Sequence, residues 1–191
     1  MKLIGIGGTN GSGKDSVAQM LAERHGYLVI SVSDFLRDEL KKQGLPVERE
    51  NLRALSAAWR AESGLGVLVH KAAEAYKAQQ DKYKGLVIPS IRNPGEVDEI
   101  HSLGGIVLWT DGDPQVRYQR ITSRARGAED QKTYEQFIGE EQAEMNHGGS
   151  ETALHTLGVK AKADVFVENN GNDIEAFNDQ VEVALADYLK P

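Results

Sequence analysis

Residues 8–16 read Gly8-Thr9-Asn10-Gly11-Ser12-Gly13-Lys14-Asp15-Ser16: a glycine, four residues, then glycine and lysine, set between an apolar run and a helical pattern. Few segments restrict a fold as tightly. Glycines let consecutive backbone N–H groups converge on one anion without a clashing Cβ. The helix that follows turns its positive N-terminal end toward the same point. Lys14 adds a mobile cation that can reach β- and γ-phosphate oxygens. The segment therefore predicts a phosphate cradle for a nucleoside triphosphate, with ATP expected. A dinucleotide-binding turn is the rival, but it needs glycine at position 10, where Asn10 stands, and has no use for a lysine at 14.

The spacing matches the P-loop pattern up to Lys14 and departs from it at the next position, where a hydroxyl normally ligates Mg²⁺. Here that residue is Asp15. A carboxylate is a good hard-oxygen ligand for Mg²⁺, yet it adds negative charge beside phosphates. Two arrangements are open: Asp15 holds the metal directly or through water, or Ser16 takes part of the role.

Apolar and helical periods alternate along the rest of the chain. Strands are expected at Lys2–Ile6, Tyr27–Val32, Gly85–Ile88 (ended by Pro89), Ile106–Trp109 and Ala163–Val167. Helices are expected from Gly13 to His25, from Asp34 (capped by Ser33 or Asp34) to Gln43, from Glu48 to Glu62 and from Val67 to about Asp81. Others follow Pro94 and Pro114, run from Thr133 to Met145, and close the chain from Ile174 to Leu189. This order predicts an α/β three-layer P-loop NTPase fold in one domain, residues 1–191: a five-stranded parallel sheet, helices on both faces and an arginine-bearing lid. Acceptor-binding helices fall at about 34–81 and the lid at about 114–146.

Composition narrows the partners. With 22 basic and 29 acidic side chains the formal charge is −7, which argues against general binding of nucleic acid or anionic membrane. Anionic ligands must then be met by locally concentrated arginines. There is no cysteine, so neither disulfides nor thiolate metal sites arise. The N-terminal apolar run is too short for a membrane span, and a cytoplasmic monomer or homodimer is expected.

Ser33-Asp34-Phe35-Leu36-Arg37 follows the second strand and resembles the segment of adenylate-kinase-like nucleoside monophosphate kinases whose arginine holds the acceptor's phosphate. Ile91-Arg92-Asn93-Pro94 is similar to that family's second acceptor-side arginine segment. It also resembles the aspartate-X-arginine segment of phage-type deoxynucleoside monophosphate kinases, whose P-loop shares the lysine-aspartate ending. The run from Arg37 to Glu62, with Arg60 before Gly64, resembles an archaeal group related to nucleotide kinases and dephospho-coenzyme A kinases. These resemblances imply an acceptor held by Arg37, Arg60 and Arg92. Physically, Asp34 and Arg92 lie just past strand ends, where a parallel sheet of this kind lines its crevice. Asp34 is a candidate helix cap, metal-water ligand or base.

Arg117, Arg120 and Arg124 share one helical face, with Arg126 beyond, and resemble the lid that closes over a transferring phosphoryl group. Arg120 and Arg124 are the leading catalytic candidates beside Lys14 and Asp34. Asn169 and Asn170 fall where related kinases pass the adenine base. The strand-three end reads Val87-Ile88-Pro89-Ser90 where such enzymes often carry a metal-contacting aspartate, which leaves Asp15 and Asp34 to share Mg²⁺. The expectation is an ATP-dependent kinase acting on a nucleoside or deoxynucleoside monophosphate; a dephospho-coenzyme A kinase and a slow nucleotide-hydrolysing regulator are the alternatives.

Overall fold

The computed structural model describes residues 1–124, 132–145 and 149–190, with the Arg124 side chain outside that set. Five parallel strands form one sheet: β1 (Lys2–Gly8), β2 (Tyr27–Val29), β3 (Gly85–Ile91), β4 (Ile106–Asp111) and β5 (Val165–Glu168), in the order β2-β3-β1-β4-β5. The helices are α1 (Lys14–His25), α2 (Val32–Lys42), α3 (Arg49–Ser63), α4 (Val67–Lys77), α5 (Pro94–Ser102), α6 (Pro114–Arg124), α7 (Tyr134–Met145), α8 (Thr156–Lys162), α9 (Ile174–Ala184) and α10 (Ala186–Leu189).

Side-chain alternation along the strands divides the interior into two cores, as a sheet covered on both faces requires. Leu3, Leu86, Ile88, Val107 and Trp109 face α2, α4, α5 and α8, with α3 packed outside them. Ile4, Ile6, Val87, Leu108 and Val167 face α1 and α9. Among the described residues no helix is long and apolar enough to cross a membrane.

Three expectations are corrected. Strand two stops at Val29, and the chain turns at Ser31 so that Val32 already belongs to α2. Neither Ser33 nor Asp34 is therefore the cap. Pro89 does not end the third strand, which continues to Ile91. Val87 gives its carbonyl to Ile30 N at 3.0 Å. Two residues on, Pro89 faces the same way but past the end of β2, so its missing N–H leaves no ladder bond unmade. The register against β1 then slips, from Ile6↔Pro89 to Gly7↔Ile91, leaving Ser90 as an extra residue. Ser90 takes φ 67, the one positive φ at a non-glycine among the described residues. Helix α8 was not expected; it is seven residues long with Gly158 inside, and Val159 seats it on the sheet.

Candidate active site

Three carbonyls of the loop between β1 and α1 are held from outside it, and a fourth by its own Ser12. Thr9 O accepts from Ser12 Oγ at 2.8 Å, Asn10 O from Arg117 Nη1 at 3.1 Å, Gly11 O from Arg120 Nη1 at 3.4 Å and Ser12 O from Asn169 Nδ2 at 3.0 Å. Held this way, the carbonyls of Asn10, Gly11 and Ser12 are kept from turning toward an anion seated on the loop. Two glycines make this possible. A Cβ on Gly11 (φ +81) would lie 2.8 Å from Arg117 O, and one on Gly13 (φ +101) 2.8 Å from Asn169 Nδ2.

Asn10, Gly11, Gly13, Lys14, Asp15 and Ser16 line a cavity of about 440 Å³, with Ser90, Arg92 and Arg120 around it and residues 171–174 along one side. Gly8, Thr9 and Ser12 brace the loop from behind. Thr9 Oγ1 donates to Asp111 Oδ1 at 2.8 Å, and Ser12 Oγ lies 2.8 Å from Thr110 Oγ1. Burial pushes the Asp111 carboxyl up, but hydrogen bonds from Lys160, Thr9 and Gly112 outweigh it and hold it below its ordinary value. Thr9 thus rests on a permanent anion.

Lys14 Nζ donates to Gly8 O and Thr9 O at 3.0 and 2.6 Å. Burial, then repulsion from Arg92, pulls its ammonium from 10.5 down to about 7. A triphosphate in the cavity would supply opposite charge and should restore the protonated form. Between pH 7 and 10.5, then, the free site binds less than one proton at Lys14, while a filled site should bind it more fully. ATP binding should take up close to one proton around the middle of that window and almost none well below pH 7. Calorimetry in two buffers of different ionisation enthalpy reads this directly. Equal apparent enthalpies at pH 8.5, or proton release, would overturn it.

Mg²⁺ suits this donor set. The ion accepts one or two carboxylates and completes its shell with water and phosphate oxygens, and Asp15 and Ser16 both line the cavity. Among the described residues no cluster of three or more His, Asp or Glu forms a self-sufficient metal cage. Asp34 does not join the site as expected. Its side chain is 64% exposed, bound by Arg37 Nη1 at 2.6 Å, and lines neither this cavity nor its neighbour, because α2 starts earlier than the sequence predicts.

A second cavity of about 310 Å³ adjoins the first and shares Ser90 and Arg92 with it. Arg37, Arg49 and Arg53 also line it, against an aliphatic wall that includes Leu36, Leu52 and Leu68. Arg92 reaches this place, but it has a partner that local sequence does not reveal: Glu144 of α7, at 3.0 Å. Glu144 also takes Arg53 Nη2 at 2.6 Å. Arg49 and Arg53 were not anticipated. Their i,i+4 spacing opposite Glu140 and Glu144 is the signal that pairs α3 with α7.

Arg60 reaches the same cavity wall but is structural. Its side chain is 2% exposed and its Nη2 lies 2.8 Å from Glu96 Oε1. The other Glu96 oxygen accepts from the backbone N of Arg92 and of Asn93, at 2.9 and 3.2 Å. Arg60 therefore positions the turn that carries Arg92.

Of the expected lid arginines, Arg117 is corrected. Arg117 is buried, paired with Glu141 and bound to Gly112 O at 2.8 Å, which ties α6 to α7 and to the loop. Arg120 lines the first cavity while holding Gly11 O, Asn169 and Gly171 O. Both buttress the cradle. Arg124's side chain and Arg126 lie outside the described residues. Asn169 spends its amide on Ser12 O and Arg120, and Asn170 accepts from Asp113 N at 2.6 Å.

The AAA-domain family profile matches residues 4–147 of this chain. A UPF0200 protein of Pyrococcus abyssi is 32% identical over 191 residues, covering 98% of this chain and 97% of its own length. Among solved structures, a sugar kinase from Janibacter sp. aligns with TM-score 0.55 at 14% identity over 97% of this chain and 95% of that one. Shikimate kinase from Acinetobacter baumannii, in complex with shikimate, aligns with TM-score 0.52 at 15% identity, over 99% and 95% of the two chains. At such identities these two share the fold, a kinase-like P-loop NTPase fold. The chain belongs to the AAA-domain family, and its end-to-end likeness to the archaeal sequence makes it a member of the UPF0200 proteins.

Proposed function

We propose that this protein is an ATP-dependent phosphotransferase acting on a phosphorylated small molecule, with a nucleoside or deoxynucleoside monophosphate as the leading acceptor. The observation that carries this reading is the meeting of two cavities at Ser90 and Arg92, one floored by the phosphate cradle and the other rimmed by arginines. A nucleotide hydrolase has no need of the second.

In this reading the triphosphate lies on the loop N–H groups and Lys14, and the acceptor's phosphate lies against Arg92 and Arg53. Phosphoryl transfer through a loose transition state asks little covalent chemistry of the protein. Alignment of the two substrates and neutralisation of their charge supply most of the rate. Lys14, Arg92 and Arg120 all border the first cavity and provide that charge. Mg²⁺, when bound, would offset the phosphates' charge, with Asp15 and Ser16 the residues to hold it. Dephospho-coenzyme A becomes the weaker acceptor, since its hydroxyl needs a base and Asp34 lines neither cavity.

The test is an acceptor panel of ribo- and deoxyribonucleoside monophosphates and dephospho-coenzyme A, read by ADP release. At least one monophosphate should raise release well above acceptor-free hydrolysis. Arg92→Ala should then raise the acceptor KM about 10- to 100-fold, as expected for a lost charge-assisted hydrogen bond. A panel in which no compound exceeds background would sink the kinase reading in favour of a slow hydrolase.

A further inference from the structure

We infer that Glu144 is an internal occupant of the acceptor's phosphate site: its carboxylate bridges Arg53 and Arg92, and an incoming phosphomonoester dianion takes its place. This deepens the kinase reading and rests on it for the word acceptor, but the anion site itself stands on geometry.

The carboxylate oxygens of Glu144 each accept one guanidinium nitrogen, Oε1 from Arg53 Nη2 at 2.6 Å and Oε2 from Arg92 Nη1 at 3.0 Å. Two arginines from different elements, α3 and the turn after β3, thus converge on one small anion at the wall of a cavity. Each contact is single, although a guanidinium offers a two-pronged fork. A phosphate with three oxygens and a second negative charge can engage both forks more fully than one carboxylate does. Exchange therefore favours the dianion, while a monoanion gains little over the resident group.

The side chain is free to leave without dismantling α7. The backbone of Glu144 is held separately, its carbonyl accepting from Thr156 Oγ1 at 3.2 Å. One turn earlier, Glu140 keeps α7 on α3 through Arg49 at 2.9 Å, and Glu141 keeps it on Arg117. Glu144 is also the more enclosed of the two α3-facing carboxylates, 20% exposed against 45% for Glu140. Burial works to raise its pKa, but Arg92 and then Arg53 outweigh it and keep it ionised. A carboxylate bound monodentately by two half-exposed arginines is a poor brace and a good placeholder. It keeps Arg53 and Arg92 from repelling each other until a better anion arrives.

The experiment measures inorganic phosphate affinity by calorimetry, with saturating ADP present so that the P-loop is filled. Glu144→Gln keeps the shape and removes the competing charge; it should bind phosphate about tenfold more tightly than the wild type. The gain should vanish in Glu144→Gln/Arg53→Ala. Thermal melting establishes that each variant is folded, and Glu144→Asp, too short to bridge both arginines, substitutes if Glu144→Gln is not. Unchanged or weaker phosphate binding in a folded variant means that Glu144 is a fixed brace, and overturns the inference. The outcome is separable from the kinase reading. Tighter phosphate binding without acceptor-dependent ADP release upholds the site and sinks the kinase; acceptor-dependent release with unchanged phosphate affinity does the opposite.

Discussion

Lys14→Ala should lower ATP turnover by about 10²- to 10³-fold, the loss typical when one preorganised charge-stabilising donor is removed from a transition state. The expectation follows from what Lys14 does in two conditions. Its ammonium sits on Gly8 O and Thr9 O, partly desolvated and repelled by Arg92, so it is poised to gain interaction energy when negative charge enters the cavity. That gain grows as charge builds on the transferring group. The loop itself should survive the change, since the carbonyls of Asn10, Gly11 and Ser12 are held by Arg117, Arg120 and Asn169 independently of the lysine. Thermal stability without nucleotide should therefore stay near wild type while turnover collapses. Turnover within threefold of wild type would refute the assignment of the cradle.

Arg60→Ala should destabilise the fold by about 3–5 kcal/mol, the range for stripping one partner from a buried ion pair. The mutant would leave Glu96 1% exposed and facing no guanidinium. It would also strip the Arg60 Nη1 bond to Thr152 O, 2.9 Å in the intact protein. Arg60→Lys should recover part of the loss, since an ammonium can reach Glu96 but cannot serve Thr152 O with a second prong. Urea unfolding gives both numbers. A shift below about 1 kcal/mol for the alanine variant would mean that water replaces the guanidinium and that the pair is not structural. Where the variant stays folded, a raised acceptor KM should accompany the lost stability, since Glu96 also ties down the backbone of Arg92 and Asn93.

The parts of this molecule that were legible in sequence are those where one residue's chemistry is decided by near neighbours. The cradle is one: glycines, lysine and helix start within nine residues, and the structure assembles them as the spacing requires. The strands are another, because Leu3/Ile4 and Leu86/Val87/Ile88 alternate between two apolar faces whatever the loops do. Legibility ends where the partner is remote. Arg60, Arg92 and Arg117 look alike along the chain, yet one is buried on Glu96, one faces the second cavity with Glu144, and one locks the loop to Glu141. Their partners stand 36, 52 and 24 residues away. Pro89 misleads for a different reason. A proline stops a strand only where its missing N–H faces a neighbour, and the sequence does not say that β2 has already ended there. Asp34 misleads because it lies on α2 between two cavity-lining residues, Ser33 and Arg37, yet is itself exposed and paired with Arg37.

The bonds that hold the loop from outside carry a consequence for how the protein comes into being. The donors to Asn10, Gly11 and Ser12 lie 107, 109 and 157 residues downstream of their acceptors. A nascent chain that has emerged only through β3 contains every residue of the motif and none of these supports. Its loop carbonyls would still be satisfied by water and free to turn inward, where they would repel phosphate. The nucleotide affinity proposed for this loop should therefore arise only once α6 and the segment after β5 have docked. ATP, the proposed ligand, should from then on stabilise the fold by mass action, since it would bind the assembled loop and not the unfolded chain.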